Sequence, residues 1–242
     1  MKTRDRIIVA LDAATGAEAL GLVRRLKGQV GVFKIGSQLY TAEGPEIVRQ
    51  VIEMGEKVFL DLKFHDIPNT VSGAVASASR LGVSMLTLHT SGGLAMLKAA
   101  VQRIQGSLSQ NERPMLLGVT VLTSMGEDDL LEVGVNTSSP IQVDRLAGLA
   151  QRAGLDGVVA SPLELAPLHH HFGGALKFVI PGIRPSGFAS DDQTRTATPA
   201  EAIRAGADYL VIGRPITASP DPAEAAQRII ESIELETAPK GG

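Results

Sequence analysis

Asp61, Lys63 and Asp66 place three charges within six residues, directly after the apolar run Val58-Phe59-Leu60. Residues two apart on a strand point to the same face, so Asp61 and Lys63 share one. Charges that leave water are costly unless paired, so a fold that sets them at the end of a buried strand has a use for them. Side chains of these types serve as acids, bases and electrostatic stabilisers. A second chemistry is suggested further along the chain. Pro181-Gly182-Ile183-Arg184, Gln193 and Gly213-Arg214 combine glycines, which allow close backbone approach, with arginines, which bind phosphate through two parallel hydrogen bonds.

Eight short runs rich in apolar and β-branched residues could carry these groups: 6–12, 30–36, 57–63, 85–90, 115–122, 157–162, 177–183 and 209–214. Segments rich in Ala, Leu, Glu and Arg separate them. Near-continuous apolar strands alternating with helices imply a parallel sheet covered on both faces. Eight such units in 242 residues fit a (β/α)8 TIM barrel, whose function sits at the C-terminal strand ends. A doubly wound open sheet is the alternative, but G-x-G-x-x-G and Walker A sequences are both missing.

On the barrel reading, one rim collects Asp12, Lys34, Asp61, Lys63, His89, Thr123, Ser124, Gly213 and Arg214. Strands two and three are then neighbours, which brings Lys34 beside Asp61 and Lys63. The loops after strands seven and eight are the usual phosphate site of this fold. Each residue also has a plainer explanation. Asp12 could cap the next helix, Lys34 could be a snorkelling lysine, Asp61 and Lys63 a structural ion pair, Arg214 a surface salt bridge and Gln193 an ordinary loop residue. His65 could simply orient its loop, and His89 could be a packed histidine at the barrel mouth. His169-His170-His171 invites a metal reading, but its place before strand seven favours a solvated loop at the opposite rim. The polar stretch 184–198 is longer than most connections in compact domains, and such stretches are often lids.

Composition bounds the rest. The chain is 44% hydrophobic, 20% charged and only 3% aromatic with no Trp, so its core is expected to be Val, Leu, Ile and Ala. The expected organisation is one domain over 1–236 with a tail at 237–242. A net charge of -3 gives no reason to expect nucleic acid or an anionic membrane as a partner. Zero cysteines exclude disulfides, thiolate metal sites and a cysteine nucleophile, and suit a reducing compartment. Met1-Lys2-Thr3-Arg4-Asp5 lacks a signal peptide's apolar core, and no run approaches the roughly 18 apolar residues of a membrane span. A cytoplasmic location is expected.

The stretch Asp61-x-Lys63-x-x-Asp66-Ile67-Pro68-x-Thr70 closely resembles the signature of the orotidine 5′-phosphate decarboxylase family. The likeness extends over nearly the whole chain, through Leu11-Asp12, Phe33-Lys34-Ile35-Gly36, Leu122-Thr123-Ser124-Met125, Pro181-Gly182-Ile183-Arg184, Gln193 and Gly213-Arg214, in family order. It implies a homodimer that converts orotidine 5′-monophosphate (OMP) to uridine 5′-monophosphate (UMP) and CO2 without cofactor or metal. By the same resemblance Lys63 is the proton donor, flanked by Lys34 and Asp61, and Asp66 completes the charged set from the partner subunit. Asp12, Lys34 and, across the dimer, Thr70 contact the ribose, with Asp61 and Ile67 also at the substrate. Thr123 and Ser124 hold the pyrimidine. Gln193, Gly213 and Arg214 hold the phosphate, with Arg184 at the base of a closing loop and Pro181 also at the substrate.

Two other readings compete. Sugar-phosphate decarboxylases and aldolases of the same superfamily share Asp-x-Lys-x-x-Asp but use Mg²⁺, and resemble one another in having an acidic metal ligand where this chain has Lys34. A non-catalytic phosphoribosyl sensor is the other, though binding alone does not call for so many costly charges.

Overall fold

All eight apolar runs are strands: β1 (Ile7–Ala10), β2 (Val32–Gly36), β3 (Val58–Phe64), β4 (Met85–His89), β5 (Met115–Val119), β6 (Gly157–Val159), β7 (Lys177–Ile180) and β8 (Tyr209–Ile212). The structure is a computed structural model that describes residues 1–185 and 196–238. Every strand runs parallel to its neighbours, and β1 pairs with both β2 and β8. That pairing closes a (β/α)8 barrel and excludes the open doubly wound sheet.

Except for β3, the strands are shorter than the apolar runs, and the difference matters for the site. Asp12, Thr123 and Arg214 all lie past the last paired residue of their strands at one rim, Asp12 and Thr123 in loops and Arg214 at the start of the short helix Arg214–Thr217. The opposite rim uses its charges to finish the sheet. Asp156 accepts the backbone N–H of Leu116 at 2.7 Å, and Asp208 accepts that of Phe178 at 2.9 Å. Burial pushes the Asp156 carboxyl up, and this hydrogen bond opposes the push.

Side-chain alternation divides the interior into two layers. Val58 and Leu60 join the large cluster between barrel and helices, and Leu62 packs against it. Phe59 faces the barrel axis with Ile8, Val32, Met85, Leu117, Val179 and Val211. The helices are amphipathic in the matching sense. In the helix Gly16–Leu26, Ala19, Val23 and Leu26 are buried at helical spacing, and the Thr15 side chain caps it by accepting the Glu18 N–H at 3.3 Å. Asp12 therefore does not cap this helix. Burying a side chain such as Leu26 contributes about 1.5–3 kcal/mol.

The His169-His170-His171 triplet corrects the sequence reading. It is not a loop but the last turn of the helix Leu165–Phe172. Leu165 and Leu168 are buried on one face of that helix, and this anchors the turn to the barrel. His171 Nδ1 lies 2.6 Å from Asp144, and the His169 ring tilts over Phe178 with centroids 5.9 Å apart. At the chain end, the helix Pro222–Thr237 includes the first residue of the expected tail, and 239–242 lie outside the described residues.

Candidate active site

On β3 the same alternation that buries Phe59 turns Asp61 and Lys63 toward the barrel axis, one and two steps nearer the C-terminal rim. β2 lies alongside with Gly36 paired to Asp61, so Lys34 approaches from the neighbouring strand. Asp61 Oδ2 is 2.8 Å from Lys63 Nζ and 3.8 Å from Lys34 Nζ. Lys34 Nζ also lies 3.4 Å from Asp12 Oδ1, beyond the end of β1. The result is a line of alternating sign: Asp12, Lys34, Asp61, Lys63. Side-chain exposure falls toward its centre, from 61% at Asp12 to 13% at Lys34 and 12% at Asp61, and rises to 34% at Lys63.

Magnitudes explain why the line holds. At an effective dielectric of about 20, the Asp61 contacts with Lys63 and Lys34 are worth roughly 6 and 4 kcal/mol before desolvation is subtracted. Water at Lys63 screens the first contact. Asp61, the deepest group, is also the one with two ammonium neighbours.

Backbone strain marks the same place. Lys63 has φ 53°, the only positive φ outside glycine among the described residues. Its N–H donates to Thr87 Oγ1 at 2.9 Å, and the Thr87 hydroxyl donates to Asp61 Oδ1, also at 2.9 Å. Beside it stand His89 and His65, their ring centroids 5.4 Å apart. The His89 imidazole is held below the usual histidine range, first by burial and then by the neighbouring His65 and Lys63 side chains, with Asp61 acting the other way.

These groups wall a cavity of ≈ 510 Å³ whose floor is apolar, formed by Ala10, Phe59, Val119, Val159 and Val211. Thr123 lines its side. Pro181, Gly182 and Arg184 approach from the β7 loop, and Gly213 and Arg214 from the β8 loop. Gly182 has φ 76°, a conformation that favours glycine. The ends of the long connection are tied together at this point. Arg184 N–H donates to the Ala197 carbonyl at 2.9 Å, and Ala197 N–H donates to that of Gly182 at 3.4 Å. The cavity wall thus combines two arginines with the line of alternating charges, the two meeting where Gly213 lies beside Asp12, over an apolar bed. This arrangement suits a flat, mostly apolar ring joined to an anionic group.

The remaining sequence candidates lie elsewhere. Ser124 is exposed and is not part of the cavity wall, although Thr123 beside it is. Asp66, Ile67 and Thr70 are also off this wall, exposed where the helix Pro68–Ser79 begins. Asp66 Oδ1 accepts the Ile67 N–H at 2.6 Å, and Ile67 is 66% exposed. Gln193 and most of 184–198 lie outside the described residues. Sequence reasoning missed Thr87 and also Gln38, an exposed residue of the helix Ser37–Glu43 that lines the cavity. Parity on β4 would have found Thr87, since it lies two residues after the inward Met85. Nothing in the sequence singles out Gln38.

A divalent cation has a poor seat here. Asp12 and Asp61 are the carboxylates of the cavity wall among the described residues, and the Lys34 ammonium stands between them at 3.4 and 3.8 Å.

Comparison with known proteins agrees with this geometry. Residues 5–229 match the sequence model described as "Orotidine 5'-phosphate decarboxylase / HUMPS family". The chain is 52% identical over 235 residues to the orotidine 5'-phosphate decarboxylase of Syntrophotalea carbinolica, covering 96% of each. It is 50% identical over 238 residues to that of Moorella thermoacetica, covering 97% of this chain and 94% of the relative. The crystal structure of the Lactobacillus acidophilus enzyme of that name superposes with a TM-score of 0.83 at 36% identity, covering 94% of this chain and 98% of the other. With the barrel, the charged rim and these likenesses in agreement, the chain belongs to the orotidine 5′-phosphate decarboxylase / HUMPS family.

Proposed function

We propose that this chain is a lyase that decarboxylates OMP to UMP and CO2, the closing step of UMP synthesis, with Lys63 as the proton donor. The observation that carries the reading is the Lys34–Asp61–Lys63 array, two ammonium groups sharing one buried carboxylate on the cavity wall. Loss of CO2 from C6 of the pyrimidine leaves a carbanion whose electrons cannot enter the ring π system. Most decarboxylases borrow an electron sink from a cofactor. Here the protein itself supplies the stabilisation, part of the roughly 8–23 kcal/mol typical of enzymes.

A fixed ammonium at Lys63 meets the developing charge and then gives up its proton to C6, so one side chain serves both steps. Asp61 keeps that ammonium in place and repels the substrate carboxylate. Two like charges at 4 Å cost about 4 kcal/mol at an effective dielectric of 20, and this is relieved as neutral CO2 departs. Carbanion stabilisation is the larger contribution, since ground-state stress is a contested source of rate. Asp12 and Lys34 take the ribose, Thr123 and Ser124 the pyrimidine. Pro181, Arg184, Gln193, Gly213 and Arg214 take the phosphate end, and binding energy gained there holds the distant ring against Lys63.

The same reading makes the working unit a homodimer with shared sites and treats 1–236 as one catalytic domain. Asp66, Ile67 and Thr70 serve the neighbouring subunit, which fits their exposure and their distance from the cavity wall of their own chain. The expected setting is the cytoplasm. Lys34 separates this reading from the Mg²⁺-dependent sugar-phosphate lyases, because its charge repels the metal they need.

Following OMP absorbance tests the function directly. Turnover continues at full rate in EDTA, and Lys63→Ala abolishes it while UMP binding stays measurable. Absence of turnover, a requirement for Mg²⁺, or near-normal kcat in Lys63→Ala would each refute the assignment.

A further inference from the structure

The strand that carries the proposed proton donor is out of step with its neighbour. Leu60 pairs with Leu86 and Phe64 with Leu88, so four steps along β3 face two along β4. The bulge contains Asp61, Leu62 and Lys63, and it puts Lys63 into the left-handed region at φ 53°. Bulges next to active sites re-aim side chains, and they leave backbone groups outside the regular ladder. Buried backbone donors nevertheless need partners. In this bulge the partner is a side chain, Thr87, which lies on β4 between the two paired leucines and is fully buried.

Thr87 makes two hydrogen bonds at once. Its oxygen accepts the Lys63 N–H at 2.9 Å, and its O–H donates to Asp61 Oδ1 at 2.9 Å. The donor in the second bond is unambiguous because an ionised carboxylate only accepts. With Oδ1 held this way, Oδ2 is the oxygen turned toward Lys63 Nζ at 2.8 Å and Lys34 Nζ at 3.8 Å. One hydroxyl therefore fixes the rotation of the carboxylate and the strained backbone of the lysine that the carboxylate orients.

We infer that Thr87 is a positioning residue of the decarboxylation, its hydroxyl locking the Lys63 backbone to the Asp61 carboxylate so that ammonium and carboxylate move as one unit. The inference rests on the proposed role of Lys63. Thr87 touches no reacting atom and acts through Asp61 and Lys63.

The test compares Thr87→Val, which keeps the shape and removes the hydroxyl, with Thr87→Ser, which keeps the hydroxyl. Misplacing a catalytic group by about 1 Å costs on the order of 10²-fold, so Thr87→Val is expected to lose about that factor in kcat with KM changed by less than about threefold. Thr87→Ser should stay within about threefold of the parent in both constants. If the valine variant does not fold, Thr87→Ala takes its place, assayed where its circular dichroism matches the parent's. Asp61→Asn combined with Thr87→Val should lose no more kcat than Asp61→Asn alone, a non-additivity that a packing role would not produce. Hydroxyl-free variants within twofold of the parent, a serine variant as impaired as the valine one, or additive losses would each overturn the inference while leaving parent turnover intact. A parent enzyme inactive on OMP would instead overturn the functional reading, and this inference with it.

Discussion

Lys63 carries a backbone strain that two substitutions can isolate. At φ 53° its Cβ crowds the following carbonyl oxygen, which costs an L-residue about 1–2 kcal/mol and costs glycine nothing. At an ordinary strand position the order is reversed, with glycine worse than alanine by about 0.5–1 kcal/mol through lost backbone freedom. At residue 63 the two effects oppose, and the difference leaves Lys63→Gly more stable than Lys63→Ala by roughly 0.5–1 kcal/mol. Both variants lose the same ammonium and the same 2.8 Å contact to Asp61, so that loss cancels between them. Urea and thermal unfolding, run at one protein concentration because association shifts apparent stability, read the difference directly. For a chain of this size it amounts to about 1–4 °C in Tm. An alanine variant as stable as the glycine variant, or more so, would refute the claim that the lysine is held in strain. Neither variant turns over OMP, so the measurement is independent of catalysis.

The shared-site proposal predicts complementation. Lys63→Ala and Asp66→Asn subunits, each inactive alone, should regain activity at roughly a quarter of all sites after random exchange into two-fold dimers, and continued inactivity despite proven exchange would count against Asp66 acting across the interface. His89 predicts a pH dependence of stability. The folded chain holds the His89 proton less tightly than the unfolded chain, whose histidine titrates near 6.5, so its contribution is complete above that value and declines as pH falls below it. His65 and Lys63 set that direction together with burial, against the pull of Asp61. Urea midpoints measured at pH 7.5 and 5.5 should accordingly differ more in the parent than in His89→Asn, and an equal difference in both would remove His89 as the cause.

The barrel could be read from the sequence because parallel strands buried on both faces leave near-continuous apolar runs. The charged rim was legible for the opposite reason: Asp61 and Lys63 interrupt such a run, and an interruption of that cost calls for an explanation. Thr87 escaped because a threonine inside Met85–His89 looks like any β-branched strand residue. Its inward direction followed from parity, but its partners did not. Period two assigns a face, whereas contact across strands depends on register, and here the register slips by two residues within β3. The slip depends on how β3 and β4 meet in the closed barrel, which no local pattern in either strand encodes. The helical histidines were misread for a milder reason. Their place just before strand seven suggested a loop, and they are indeed exposed, but Leu165 and Leu168, at helical spacing just before them, already hold that turn on the barrel as helix. Residue types therefore pointed to the groups proposed to do the chemistry, and register decides how closely they are held. The place where the two part company is Lys63, whose identity suits proton transfer and whose backbone angle falls inside the stretch where β4 meets β3 out of step.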